Sequence, residues 1–243
     1  MAGILIRDIV KGVTVLYGEA GCGKTNLALR LMSELCDSSE AGRCYFISTE
    51  GPQYLHLLNR YRLGDECLFA TAVSSEHLLR LTFEILRAVA NKEKVRLVIV
   101  DSINSFYRME AAFEPSAGRV FGATIAMLSR LSEEGIPVLL TAQVKGDEGI
   151  SGERYILFWC DILIKCVKHG RGLGELILLN PKNLEELGRR VPFEIGEDGV
   201  KLGNGLREAG DEVSVPVPPS NDSQRIASDS EQRHQEEAPA RPR

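Results

Sequence analysis

Apolar residues are grouped along this chain in two alternating styles. Short, nearly continuous runs at 13–17 (VTVLY), 44–49 (CYFIST), 96–102 (RLVIVDS) and 136–143 (IPVLLTAQ) have the character of buried strands. Between them lie stretches with apolar residues three and four apart, at 24–35 (KTNLALRLMSEL), 75–90 (SEHLLRLTFEILRAVA) and 122–135 (GATIAMLSRLSEEG). That spacing predicts helices, the second capped by Ser75 and the third stopped at Gly135. Strand and helix in alternation predict an α/β fold, a mainly parallel sheet wrapped by helices. After residue 160 the style changes. CDILIKCV, GELILLN and RVPFEI follow closely across Gly-rich and polar joints, which predicts antiparallel strands extending the sheet.

Near Gly203 the pattern stops. Residues 205–243 hold no aromatic side chain and five of the ten prolines, too little apolar surface to offset chain entropy. The chain is therefore read as a core at 1–204 and a disordered tail at 205–243. The tail is either a solvated linker or a partner-docking arm.

Composition narrows this picture in three ways. The hydrophobic fraction of 44% supports a real core. The net charge of -5 gives no global case for binding nucleic acid, so any such binding needs a local patch. No apolar run reaches membrane-span length, and MAGILIRDIVKG lacks a signal-peptide layout, so the chain is read as cytoplasmic with no membrane partner. Six cysteines form no C-x-x-C pair, which disfavours zinc; buried free thiols are expected, with disulfides only in a hyperthermophile setting.

Candidate chemistry starts at Gly18-Glu19-Ala20-Gly21-Cys22-Gly23-Lys24-Thr25, which fits G-x-x-x-x-G-K-[ST] and lies between a predicted strand and a predicted helix. Glycines let backbone N–H groups turn inward, and the helix N-terminus adds positive potential. Lys24 is expected at the β- and γ-phosphates of ATP and Thr25 on Mg²⁺; Asn26 completes the cofactor-binding set. Asp101 follows four apolar residues at a strand's end and is expected to complete the metal site, directly or through water. Glu50 follows YFIST. If that strand neighbours the loop's strand, Glu50 would activate water; otherwise it is a surface residue of the turn TEGPQ. Gln143, ending PVLLTAQ, is either a γ-phosphate reporter or a polar strand end.

Together these motifs resemble the RecA/RadA recombinase superfamily over roughly residues 11–200. GEAGCGKTN is similar to the phosphate loop of archaeal RadA-like proteins, and ISTEG to their strand ending in the catalytic glutamate. LVIVDSINSFYRMEA is similar to their Walker B strand with its aromatic-Arg-acid continuation, and GIPVLLTAQV to their sensor strand. The nearest likeness is to the short archaeal RadA paralogs of the RadB type, a bare core domain, with CDILIKCVKHGRGLGELILL resembling their C-terminal hairpin. The resemblance implies a RecA-like P-loop NTPase core, with Glu50, Lys24 and Gln143 catalytic and slow ATP hydrolysis. It also implies a role in homologous recombination and repair. The implied partners are single-stranded DNA, the main recombinase of the RadA type and, since RecA-type sites usually need a neighbouring subunit, a second copy of the chain.

Two departures bear on DNA. Only seventeen residues precede Gly18, and no linker motif for filaments stands out, which speaks against strand exchange. In VKGDEGISGERY, where recombinases meet single-stranded DNA, Lys145 and Arg154 are outweighed by Asp147, Glu148 and Glu153. Other DNA-binding candidates are Arg108 and Arg119, with Phe106 and Tyr107 able to stack bases. A late basic group adds Lys165, Lys168, His169, Arg171, Lys182, Arg189 and Arg190, a patch only if they share a face. The alternative is a KaiC-like RecA-fold ATPase in signalling that acts through proteins without DNA. A P-loop kinase is disfavoured because no Arg-rich lid follows the Walker B strand.

Overall fold

The computed structural model describes residues 5–36, 41–144, 149–182 and 185–203. The tail assigned to 205–243 and the loop residues Lys145, Asp147 and Glu148 lie outside them. Among the described residues, nine strands form one sheet: β1 (Val13–Gly18), β2 (Arg43–Ser48), β3 (Cys67–Thr71), β4 (Val95–Asp101), β5 (Val138–Gln143), β6 (Ile162–Lys168), β7 (Leu173–Leu179), β8 (Glu186–Gly196) and β9 (Gly199–Leu202). Their order is β3-β2-β4-β5-β1-β6-β7-β8-β9. The helices are α1 (Lys24–Cys36), α2 (Ser75–Ala90), α3 (Ser105–Glu110), α4 (Ala117–Glu133) and α5 (Glu153–Trp159), with a 3-10 segment at Pro52–Arg60. This is a RecA-like P-loop NTPase fold.

The apolar runs explain the layering. Side chains alternate across a strand, so a continuous run feeds two cores at once. Leu16, Leu97, Ile99 and Leu139 enter the layer that holds Leu27, Leu31 and Met32 of α1. Val15, Val98, Val100, Val138 and Leu140 enter the other, with Leu78 and Ile85 of α2 and Ile125, Leu128 and Leu131 of α4. No helix among the described residues is long and apolar enough to cross a membrane.

Four sequence expectations are corrected. β6 is not the start of the antiparallel block: it pairs parallel with β1, from Thr14↔Ile162 to Tyr17↔Lys165. Antiparallel pairing begins with β6–β7 and continues through β8 and β9. The cap of α2 is Ser74, whose Oγ accepts from the His77 N–H at 3.1 Å; Ser75 is the first helical residue. α4 starts at Ala117, five residues before the predicted 122. Of the six cysteines, Cys22, Cys44, Cys160 and Cys166 are free and buried, but Cys36 and Cys67 are joined as a disulfide between the end of α1 and edge strand β3.

Strands β6 and β8 pack directly on the phosphate loop. A Cβ at Gly18 would collide with the Cys166 carbonyl oxygen of β6. Gly23 has φ +106, and a Cβ there would lie 2.5 Å from Ile195 Cδ1 of β8. Only glycine satisfies both the conformation and the close approach.

Candidate nucleotide site

Parallel strands in register finish level with one another, and their carboxyl ends form the crevice where α/β sheets bind ligands. Here Gly18 of β1 stands opposite Gln143 of β5, and Ser48 of β2 opposite Asp101 of β4. The premise that β2 neighbours β1 is wrong, because β4 and β5 lie between them. Glu50 reaches the site another way. Two residues past Ser48, it lies beside the end of β4, where Ser102 Oγ donates to Glu50 Oε1 at 2.8 Å.

At the loop, Glu19, Ala20 and Gly21 are exposed on the crest, while Cys22 is buried beneath. Lys24 is buried, and its ammonium donates to the carbonyls of Gly18 (2.9 Å) and Glu19 (2.8 Å). Cys22 Sγ is 3.7 Å away. Hydrogen bonding from Cys166 lowers the Cys22 thiol below its usual range; burial opposes this and the Lys24 charge assists. Asn26 Oδ1 accepts from the Tyr61 hydroxyl at 3.0 Å, so that side chain is tied to the fold beside the cradle.

Asp101 is held from both sides. Thr25 Oγ1 donates to Oδ2 at 2.7 Å, and Thr141 Oγ1 donates to Oδ1. Burial pushes the Asp101 carboxyl above its usual range; the Thr141 and Thr25 hydroxyls pull it down, Glu50 raises it further, and Lys24 opposes. A raised value means that, from the ordinary carboxylate pKa up to the folded one, the native state holds a proton that the unfolded chain releases. Stability therefore falls as pH rises through that window. Burial leaves the Asp101 carboxyl poorly solvated, which disfavours its charged form. Asp101→Asn is expected to raise the protein's melting temperature by about 2–6 °C while abolishing magnesium-dependent ATP binding. Calorimetry without nucleotide checks this; a lower melting temperature would mean that the two threonine bonds outweigh burial.

Thr25, Glu50 and Asp101 line one cleft of about 120 Å³ together with Ser48, Gly51, Gln53, Tyr54, His56 and Leu57. A buried ammonium satisfied by neutral carbonyls, a glycine-rich turn at a helix N-terminus and a carboxylate beside a threonine hydroxyl suit a magnesium nucleotide. Sequence reasoning missed Gln53 and His56, which the 3-10 segment brings to the cleft. It also missed the positioning groups Ser102, Thr141 and Asn104. The only sequence signal for them is adjacency to a predicted strand end.

The DNA-contact candidates separate. Arg108 and Arg119 are exposed, on α3 and the first turn of α4. Arg108 donates to Gln143 Oε1 at 2.9 Å. Phe106 is buried, and Tyr107 stacks on Phe121 with centroids 4.6 Å apart, Tyr155 closing the cluster edge-on. Of the base-stacking candidates, Phe106 is thus buried and Tyr107 half-buried in an aromatic cluster; Phe113 is 76% exposed. The late basic group does not merge into one patch. Lys165, Ile177 and Arg190 stand in one cross-strand row, whereas Lys168, three residues beyond Lys165, belongs to the opposite face. His169 and Arg190 both approach the buried Glu175, at 3.1 and 3.6 Å. Arg171 is exposed in the β6–β7 turn.

Comparison with known proteins adds to this geometry. Residues 4–148, more than half of the chain, match the family model described as AAA domain. DNA repair and recombination protein RadB of Methanosphaera stadtmanae is 26% identical over 215 residues, covering 81% of this chain and 90% of that protein. The RadB of Methanocaldococcus jannaschii is 25% identical over 215 residues, covering 82% and 97%. A shorter match, 37% over 99 residues, is to an AAA ATPase forming ring-shaped complexes from Corynebacterium diphtheriae, covering 40% of this chain and 17% of that protein.

Proposed function

Because this chain belongs to the AAA domain family and has RadB homologues, we propose that it is an ATP-binding paralog of the RadA recombinase that assists homologous recombination and DNA repair. The observation that carries the ATP part is the convergence of Lys24, Thr25, Asp101 and Glu50 on one end of the sheet. Lys24 would hold the β- and γ-phosphates, Thr25 and Asp101 would hold Mg²⁺, and Glu50 would take a proton from the attacking water. Bound Mg²⁺ supplies charge neutralisation at the phosphates. Turnover is slow, single-stranded DNA is one partner and the main recombinase another.

The RadB likeness supports the DNA part, together with exposed Arg119, Arg154 and Phe113 on the segments around the Tyr107–Phe121–Tyr155 cluster. Fluorescence anisotropy of labelled single-stranded DNA, with and without ATP–Mg²⁺ across a salt series, tests it. The expected result is binding that weakens steeply with salt, log K falling against log salt by about 0.7 per phosphate neutralised. No binding at low salt, with ATP still bound, would favour instead a KaiC-like ATPase that works through protein partners.

A further inference from the structure

We propose that Arg108 is a positioning residue that sets which end of the Gln143 carboxamide faces the terminal phosphate of a bound nucleoside triphosphate. The inference rests on the nucleotide-site reading above and deepens it.

The main chain of Gln143 is fixed before its side chain is considered. Gln143 N–H donates to Asn104 Oδ1 at 3.1 Å, and Asn104 Nδ2 donates to the Gln143 carbonyl at 3.0 Å. Asn104 is fully buried, so this two-point clamp is shielded from water. One residue on, the Val144 N–H donates to the Gly18 carbonyl of neighbouring β1 at 3.2 Å, tying the end of β5 to the start of the phosphate loop. What remains free is the direction of the carboxamide.

A glutamine amide turned by 180° presents oxygen where nitrogen stood, with almost the same shape. The two ends are chemically opposite toward a phosphate, which offers only acceptors: the Nε2–H₂ end bonds to it and the Oε1 end is repelled. A guanidinium has donors only. Arg108 Nη1 donates to Gln143 Oε1 at 2.9 Å, and that contact is possible in one amide orientation alone. Arg108 thus takes the oxygen end and leaves the donor end for the phosphate.

The spacing ties the two partners together. The Arg108 N–H donates to the Asn104 carbonyl at 3.0 Å, one helical turn along α3. Asn104 therefore clamps the Gln143 main chain with its side chain and begins, with its carbonyl, the turn that carries Arg108. Because Arg108 is exposed, its bond adds little to fold stability; its effect is directional.

The test compares the affinities of the full chain for ATPγS and for ADP, with Mg²⁺ and without DNA, by titration calorimetry. Wild type, Arg108→Ala, Arg108→Lys, Gln143→Ala and the double alanine variant are measured, each with a thermal melt. The wild type is expected to prefer ATPγS. Each single alanine variant should cut that preference about fivefold, with an unchanged melt. The double variant should be no worse than either single, because both act through one contact. Arg108→Lys, also donor-only, should restore part of the preference. If Arg108→Ala keeps the wild-type preference, or the two losses add, the inference falls while the nucleotide site stands. Equal wild-type affinity for the two nucleotides overturns it in the same way. A wild type that binds neither nucleotide overturns the nucleotide reading itself.

Discussion

Glu50→Gln is expected to leave ATP affinity within about twofold of wild type and to lower turnover by about 100-fold or more. The substitution keeps the shape of the side chain and an Oε1 that can still accept from Ser102 Oγ, so the 2.8 Å contact that places it survives. What it removes is the ability to take a proton. It also removes a negative charge that pushes Asp101 upward, so metal and nucleotide binding should not suffer. Mant-ATP titration gives the affinity and single-turnover phosphate release gives the rate. Unchanged release would return Glu50 to the turn TEGPQ as a surface residue.

Lys24→Ala should weaken ATP binding by about 100-fold or more. Charge-assisted hydrogen bonds contribute about 1.5–3 kcal/mol each, and the ammonium is placed to make two or more to a polyphosphate. The fold should tolerate the change. The Gly18 and Glu19 carbonyls that now receive Lys24 also accept from the N–H groups of Val144 (3.2 Å) and Cys22 (3.3 Å). Neither oxygen is left without a donor, so the melting temperature should drop by no more than a few degrees. Calorimetric titration and a melt on the same sample separate the two effects; nucleotide affinity that survives the substitution would mean the cradle does not work through this lysine.

The central strands were legible because a buried parallel strand is written as an unbroken apolar run. Residues 13–17, 96–102 and 136–143 lie within two residues of β1, β4 and β5 at each end. Strand order was not legible. Periodicity says that a segment is a strand but not which neighbour it takes, so the parallel partner of β6 is not visible in it and the adjacency of β2 and β1 stays a conditional, which the sheet order does not meet. The Ser48↔Asp101 register, set by β2–β4 pairing, is what carries Glu50 to the Asp101 side of the site. Edge strand β3 escaped notice because CLFAT is five residues with one buried position. The cap slipped by one residue because Ser74 and Ser75 are adjacent and only geometry selects between them. The Cys36–Cys67 pairing and the Arg108–Gln143 contact join residues 31 and 35 apart, separations at which local patterns carry no signal.

The wall that β6 and β8 build against the phosphate loop bears on where a minimal ATPase could be cut from this chain. The AAA domain match ends at residue 148, yet Cys166 presses on Gly18 and Ile195 on Gly23. A fragment truncated at 148 would turn β1 into an exposed sheet edge, with the backbone groups that now pair with β6 left open to water and to other strands. The loop's glycines would then face solvent, and the conformation that φ +106 requires at Gly23 would lose its outer support. The domain match thus ends at one place, and load transfer across the sheet draws the boundary of autonomous folding some fifty residues later, in the stretch that the RadB alignments, at 81–82% of the chain, also cover.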